Sequence, residues 1–298
     1  MAVFGDMGNA NARSLGRLQE ETQRGHFDAF LHVGDFAYDM HTDNAKVGDA
    51  FMNQIQAIAA YVPYMTCVGN HERAYNFSNY KSRFTMPGGD GEGMFYSFNI
   101  GPAHIVAFSS EFYYYTNYGW EQIANQYKWM ENDLKEANKP ENRAKRPWII
   151  AACHRPLYCS NNDPIHCNNR DNIIRVGLPD IHSYAMEDLL YKYGVDLHFS
   201  GHEHSYERNF PTYNRHVCNG TTPNNPYHNP RAPVYVVTGS AGNYLGVGPF
   251  DPTATPWSAY RSDDYGYTRM TIANDTHLFL EQVSDNQVRK RHTTGDIP

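Results

Sequence analysis

Five short segments carry the side chains with chemistry to offer: Gly5-Asp6-Met7-Gly8, Gly34-Asp35-Phe36-Ala37-Tyr38, Gly69-Asn70-His71-Glu72, His154-Arg155-Pro156 and Gly201-His202-Glu203-His204. Their oxygen and imidazole donors are Asp6, Asp35, Tyr38, Asn70, His154, His202 and His204. The set contains no thiolate, which suits iron, manganese or zinc in a working site rather than a structural zinc knuckle. It is too large for one ion. Two ions sharing a bridging carboxylate would use it, and a pair ~3.5–4 Å apart is a device for phosphoester hydrolysis, clamping the phosphate and supplying hydroxide. No segment alone decides the matter: Gly-Asp is a turn signal, Gly-Asn-His-Glu carries moderate weight, and a lone histidine is more often a hydrogen-bonded core group than a ligand.

The weight comes from what precedes each segment. Apolar runs read as strands at 2–4 (AVF), 30–33 (FLHV), 64–68 (YMTCV), 148–153 (WIIAAC) and 195–200 (VDLHFS), and each delivers one motif at its end. Helical spacing of apolar residues falls at 10–24, 46–61, 122–138 and 183–193. Residues 95–110 read as a hairpin turning at Gly101-Pro102. The last third reads as β, with a run at 234–239 and a hairpin turning at Asn274-Asp275. Alternating β and α units predict an α/β fold with a largely parallel sheet and added antiparallel strands. In such sheets ligands bind at the carboxyl ends of the strands, where the five motifs fall. Four of the five contain glycine, which is expected to let the backbone turn sharply there.

Composition narrows the function. The 298-residue chain has a net charge of −7, which disfavours broad binding to nucleic-acid backbones. No apolar run approaches the ~18 residues of a membrane span. Of the five cysteines, Cys67 and Cys153 lie in apolar runs and are expected to be buried thiols. Cys159 and Cys167 flank a polar loop that a disulfide could close, a question the sequence leaves open. Sequons stand at Asn76, Asn219 and Asn274. A chain that opens on a strand and a motif reads as a trimmed piece, so the lack of a signal peptide says little about location.

The ordered motifs GDMG, GDFAYD, GNHE, HRPLY and GHEHSYER resemble those of the purple acid phosphatases, within the calcineurin-like metallophosphoesterase superfamily, and among them the long-form animal type. The resemblance runs over nearly the whole chain, including GSAG near 239 and YGYTRMTI near 265. It implies a sandwich of two mixed β-sheets flanked by helices, with a dimetal site at the strand carboxyl ends. Residues 1–298 would be a single catalytic domain, without the N-terminal β-sandwich domain of the long forms. Other members of the superfamily have Asp-x-His in the first motif, whereas here Asp6-Met7-Gly8 stands in its place and Tyr38 makes up the missing donor.

Carried over residue by residue, the resemblance implies that Asp6, Tyr38 and His204 hold Fe(III), that Asp35 bridges, and that Asn70, His154 and His202 hold a divalent iron, zinc or manganese. His71 would face the substrate and protonate the leaving alcohol, with Glu72 either orienting it or serving as a cap. His166 is the nearest candidate for a second substrate histidine, in a shifted register. Arg155 is read equally as a residue beside the ligand and as part of an ion pair within the fold. The implied activity is hydrolysis of phosphate monoesters by metal-bound hydroxide. A phosphodiesterase or nucleotide pyrophosphatase on the same scaffold, or a catalytically silent binding protein that keeps the fold, are the alternatives. The expected partner is a small phosphorylated substrate, with no nucleic acid and no membrane, and a homodimer is left open. A secreted or lysosomal glycoprotein is implied by the resemblance and the sequons.

Overall fold

A computed structural model describes residues 1–222, 224–253 and 255–286, together with the backbone strand at 292–297. Two mixed sheets lie face to face. In the first, Ala2–Phe4, Phe30–Val33 and Tyr64–Cys67 run parallel. Gly266–Ile272 joins Ala2–Phe4 antiparallel, followed by Leu278–Ser284 and His292–Ile297. In the second, Ala103–Ala107, Trp148–Ala152, Leu197–Ser200 and Val234–Thr238 are parallel neighbours in that order. Tyr96–Ile100 closes one edge antiparallel, and Tyr206–Asn209 with Ser258–Ser262 closes the other.

Period-two alternation builds the layers. Val3, Leu31, Val33 and Cys67 of the first sheet pack with Ile105, Ala107, Ile150, Ala152, Leu197 and Phe199 of the second in one buried cluster. Their neighbours Phe4, Phe30, Val106, Ile149 and Ala151 belong to a second cluster with the helices, which contribute Phe51, Ile55, Met130, Leu134 and Leu189. Both faces of each sheet are therefore covered, which is why the strands read as continuous apolar runs.

The predicted strands and both hairpins are present, and the expected helices form as Leu15–Gln23, Lys46–Ala59, Glu121–Ala137 and Met186–Lys192. Ala74–Arg83 is helical after a left-handed turn at Tyr75, Asn76 and Phe77. Tyr206–Asn209 and Ser258–Ser262 are also strands. Their apolar content is too low to announce a strand. Glu207 explains the first of them: it is fully buried because it accepts hydrogen bonds from the Ser160 N–H and Ser160 Oγ, 2.7 Å each.

Among the glycines at the strand ends, Gly34 makes the expected turn with φ of 90°, whereas Gly69 and Gly201 meet a different need. At Gly69 an added Cβ would lie 2.2 Å from Asp35 Oδ1, and at Gly201 it would lie 2.4 Å from Asp6 Oδ2. Each vacates the volume that a carboxylate occupies. The left-handed conformation falls largely on the donor residues themselves: φ is 59° at Asp6, 53° at Asp35, 57° at Tyr38 and 69° at His202. Asp and His tolerate this region better than a bulky tyrosine does.

Gly69→Ala is expected to push Asp35 out of place and to cost about 1–3 kcal/mol through overpacking. Thermal denaturation followed by circular dichroism measures the loss, and a melting curve that overlays the unsubstituted protein would show that the Asp35 carboxylate does not need this space.

Candidate metal centre

The parallel strands of both sheets end at one place, and backbone bonds stitch the ends together. Gly5 N–H donates to the Thr238 carbonyl at 2.8 Å and Asp6 N–H to Gly34 O at 3.1 Å. Gly201 N–H donates to His154 O at 2.9 Å. All seven donors identified from the sequence face this junction in two adjoining groups.

In the first group, Tyr38 Oη lies 3.3 Å from Asp6 Oδ1 and 2.8 Å from His204 Nε2, and His204 Nε2 lies 3.5 Å from Asp6 Oδ1. In the second, His154 Nε2 lies 3.2 Å from Asp35 Oδ2, 3.2 Å from Asn70 Oδ1 and 3.3 Å from His202 Nδ1. The groups are tied by the His202 N–H, which donates to Asp6 Oδ2 at 2.9 Å. Two of the imidazoles are fixed by their far nitrogen: His154 Nδ1 donates to Val33 O at 2.8 Å and His204 Nδ1 to Gly246 O at 3.1 Å. Such a bond sets the tautomer and leaves Nε2 as the lone-pair donor.

The electrostatics follow from burying acids and imidazoles together. Asp6 and Asp35 are essentially inaccessible, and Tyr38 is 5% exposed. Burial pushes the Tyr38 phenol far up, and Asp6 and Asp35 add to it. Burial also opposes a charge on His154, yet Asp35 beside it lifts it to about 10. Burial would raise Asp35, but His154 and His71 outweigh that and hold it low. Seven lone-pair donors converging at this spacing fit a cation pair, whose charge would reverse the penalty on the phenol.

His71 and Glu72 part company. Glu72 accepts from the N–H groups of Asp35, Phe36 and Gly69 at 2.9, 3.0 and 2.8 Å. It is a brace for the Asp35 loop, the cap reading rather than the orienting one, and burial with the neighbouring Asp35 pushes it up to about 8. The residue that orients His71 is Asp39, whose Oδ1 lies 3.1 Å from Nδ1, while Nε2 lies 4.0 Å from Asp35 Oδ2. The sequence reading passed over Asp39, although it closes the GDFAYD segment and its acid type was the available signal.

His166 is buried, 4% exposed, with its ring 4.5 Å from that of His202. Both nitrogens are engaged: Nδ1 faces Asp163 Oδ2 at 2.7 Å and Nε2 faces Arg155 Nη1 at 2.8 Å. Cys159 and Cys167 are joined, closing the loop that carries it. Cys67 and Cys153 are buried free thiols.

Glu72→Ala is expected to destabilise the protein by about 3 kcal/mol or more, because buried N–H groups left unpaired cost roughly 1–3 kcal/mol each. Urea unfolding measures it, and Glu72→Gln should recover part of the loss.

Residues 1–206 match the calcineurin-like phosphoesterase family, and residues 232–294 match the C-terminal segment of the iron/zinc purple acid phosphatase-like proteins. The chain is 56% identical over 292 residues to acid phosphatase type 7 of Danio rerio, covering 97% of this chain and 66% of that protein. It is 54% identical over 287 residues to the Homo sapiens protein of the same name, covering 96% and 64%. It thus spans just under two thirds of the length of these relatives. The purple acid phosphatase PPD1 from yellow lupin seeds superposes with a TM-score of 0.76 at 26% identity, covering 97% of this chain and 52% of that one.

Proposed function

Because the chain belongs to the calcineurin-like phosphoesterase family, we propose that it is a metal-dependent acid phosphatase acting on small phosphate monoesters. The observation that carries this reading is the pair of adjoining donor groups, with a tyrosine phenol in the first. Asp6, Tyr38 and His204 would hold one ion, Asn70, His154 and His202 the other, and Asp35 would lie between them. The phenol is the reason to assign Fe(III) to the first position, since a hard anionic oxygen suits a trivalent ion, and iron, zinc or manganese to the second. When bound, the pair supplies Lewis acidity toward phosphoryl oxygens and lowers the pKa of water.

The rest of the work falls to the chain. His71 would hydrogen-bond the phosphoryl group through Nε2 and pass a proton to the leaving oxygen. For Nε2 to give up that proton the ring must enter the step doubly protonated, with Asp39 accepting from Nδ1. Glu72 keeps the Asp35 and Asn70 loops in register through its three backbone bonds. An oxidising, secretory compartment is part of the reading, supported by the Cys159–Cys167 bridge and by exposed sequon asparagines at 76, 219 and 274.

The test is a visible spectrum and metal analysis of purified protein, with 4-nitrophenyl phosphate and bis(4-nitrophenyl) phosphate as paired substrates. A broad band in the green that disappears in Tyr38→Phe, iron at one equivalent and a preference for the monoester are expected. Two equivalents of zinc or manganese, no band and a preference for the diester would replace the phosphatase by a phosphodiesterase. Metal uptake with neither substrate turned over would leave a silent binding protein.

His71→Ala is expected to lower kcat about a hundredfold with metal content unchanged, the scale of a positioned acid. Asp39→Asn should lower it less and displace the pH–rate profile. A profile that does not move would separate Asp39 from the proton transfer.

A further inference from the structure

Beside the second donor group, Arg155 is a buried cation that the phosphatase reading does not use. Arg155 follows His154 directly and is only 7% exposed. Its Nε donates to both oxygens of Glu111, at 2.9 and 3.0 Å, and its guanidinium lies 4.3 Å from the centre of the Tyr114 ring. Nη1 lies 2.8 Å from His166 Nε2 and 3.4 Å from His202 Nε2. Nη2 makes no hydrogen bond to a described residue.

The contact with His202 is the informative one. His202 turns Nδ1 toward His154 Nε2, 3.3 Å away, inside the second donor group. If Nδ1 gives its lone pair to an ion there, the ring proton must sit on Nε2. That N–H then points at Arg155 Nη1, which can only donate. A hydrogen bond that is satisfied with the proton on Nδ1 becomes two donors face to face. An acceptor oxygen to one side of the pair, at the margin of the metal site, would take both N–H groups.

Resting on the metal-centre reading, we propose that Arg155 and His202 Nε2 together bind an oxygen of the phosphoryl group, and that His166 is a positioning residue for Arg155 rather than a substrate contact. The ligand class is a tetrahedral oxyanion: the phosphate ester, or the inorganic phosphate it releases. His166 suits the positioning role because the Asp163 carboxylate at Nδ1 obliges that nitrogen to donate, which makes Nε2 the acceptor that holds Nη1. The Cys159–Cys167 link fixes the loop that brings Asp163 and His166 there. Glu111 fixes the other side of the guanidinium and balances its charge, so that the buried cation is tolerated without phosphate.

The test uses metal-loaded protein and inorganic phosphate as the probe, followed by calorimetry, with metal content measured on each sample. Arg155→Lys keeps the charge opposite Glu111 but lacks the planar fork that spans Glu111 and His166 at once. It is expected to weaken phosphate binding about tenfold with both metals retained, and to raise KM for 4-nitrophenyl phosphate more than it lowers kcat. Arg155→Gln should weaken binding further, and His166→Asn should fall between the unsubstituted protein and Arg155→Lys. Phosphate binding in Arg155→Lys within twofold of the unsubstituted protein, at full metal content, would overturn the proposal. So would loss of metal in step with loss of phosphate, since Arg155 would then serve only to seat His202. Protein that binds phosphate but hydrolyses no ester would sink the phosphatase reading while leaving this binding assignment standing.

Discussion

Among the hydrogen bonds that cross from sheet to sheet, the one on which the donors depend most directly joins His154 Nδ1 to the Val33 carbonyl. His154 leaves the end of Trp148–Ala152 in the second sheet, and Val33 is the last residue of a strand in the first. The bond therefore does two things at once. It sets the imidazole tautomer so that Nε2 faces Asp35 and Asn70. It also uses the carbonyl immediately before Gly34-Asp35, so the position of a donor from one sheet is referred to the backbone that carries a donor from the other. A sandwich with a well-packed interior could still slide its two faces by an ångström, and metal sites do not tolerate that.

Strain at the junction is distributed in a particular way. The left-handed backbone falls on Asp6, Asp35, Tyr38 and His202 themselves. Gly69 and Gly201 supply empty volume for Asp35 and Asp6. The compensating contacts are polar and local: Glu72 gathers three N–H groups from two of the motif loops, and Asp6 accepts from the His202 N–H through its second oxygen. The buried carboxylates accept backbone hydrogen bonds here, so their placement does not rely on an ion alone.

The strands, and the seven candidate donors that they bring to one junction, are legible in the sequence because each motif follows a run of residues apolar on both faces, a pattern independent of distant contacts. The sequence conveys less wherever a residue's role depends on a partner far along the chain. Tyr206–Asn209 is a strand because Val234–Thr238 and Ser258–Ser262 flank it, not because of its own polar composition. Asp39 matters through His71, thirty-two positions away, and Glu72 through Asp35 and Phe36. His166 was identified as a histidine of the right neighbourhood, but its engagement by Asp163 on one nitrogen and Arg155 on the other is a property of the loop closure. Local pattern names the donors, and long-range hydrogen bonding assigns the supporting roles.

The place of the first strand has a consequence for how the molecule comes into being. Ala2–Phe4 is an interior strand, with Phe30–Val33 on one side and Gly266–Ile272 on the other. On the ribosome it is made long before one of its neighbours, in which Arg269 is the residue paired with Ala2. Until then its outer edge has no mate, and Asp6 hangs from a strand that is only half secured. Contacts of such long sequence separation slow assembly and lengthen the exposure of unpaired edges. The two donor groups would then be completed only once Gly266–Ile272 has been made, so that closure of the sheet would precede loading of the ions.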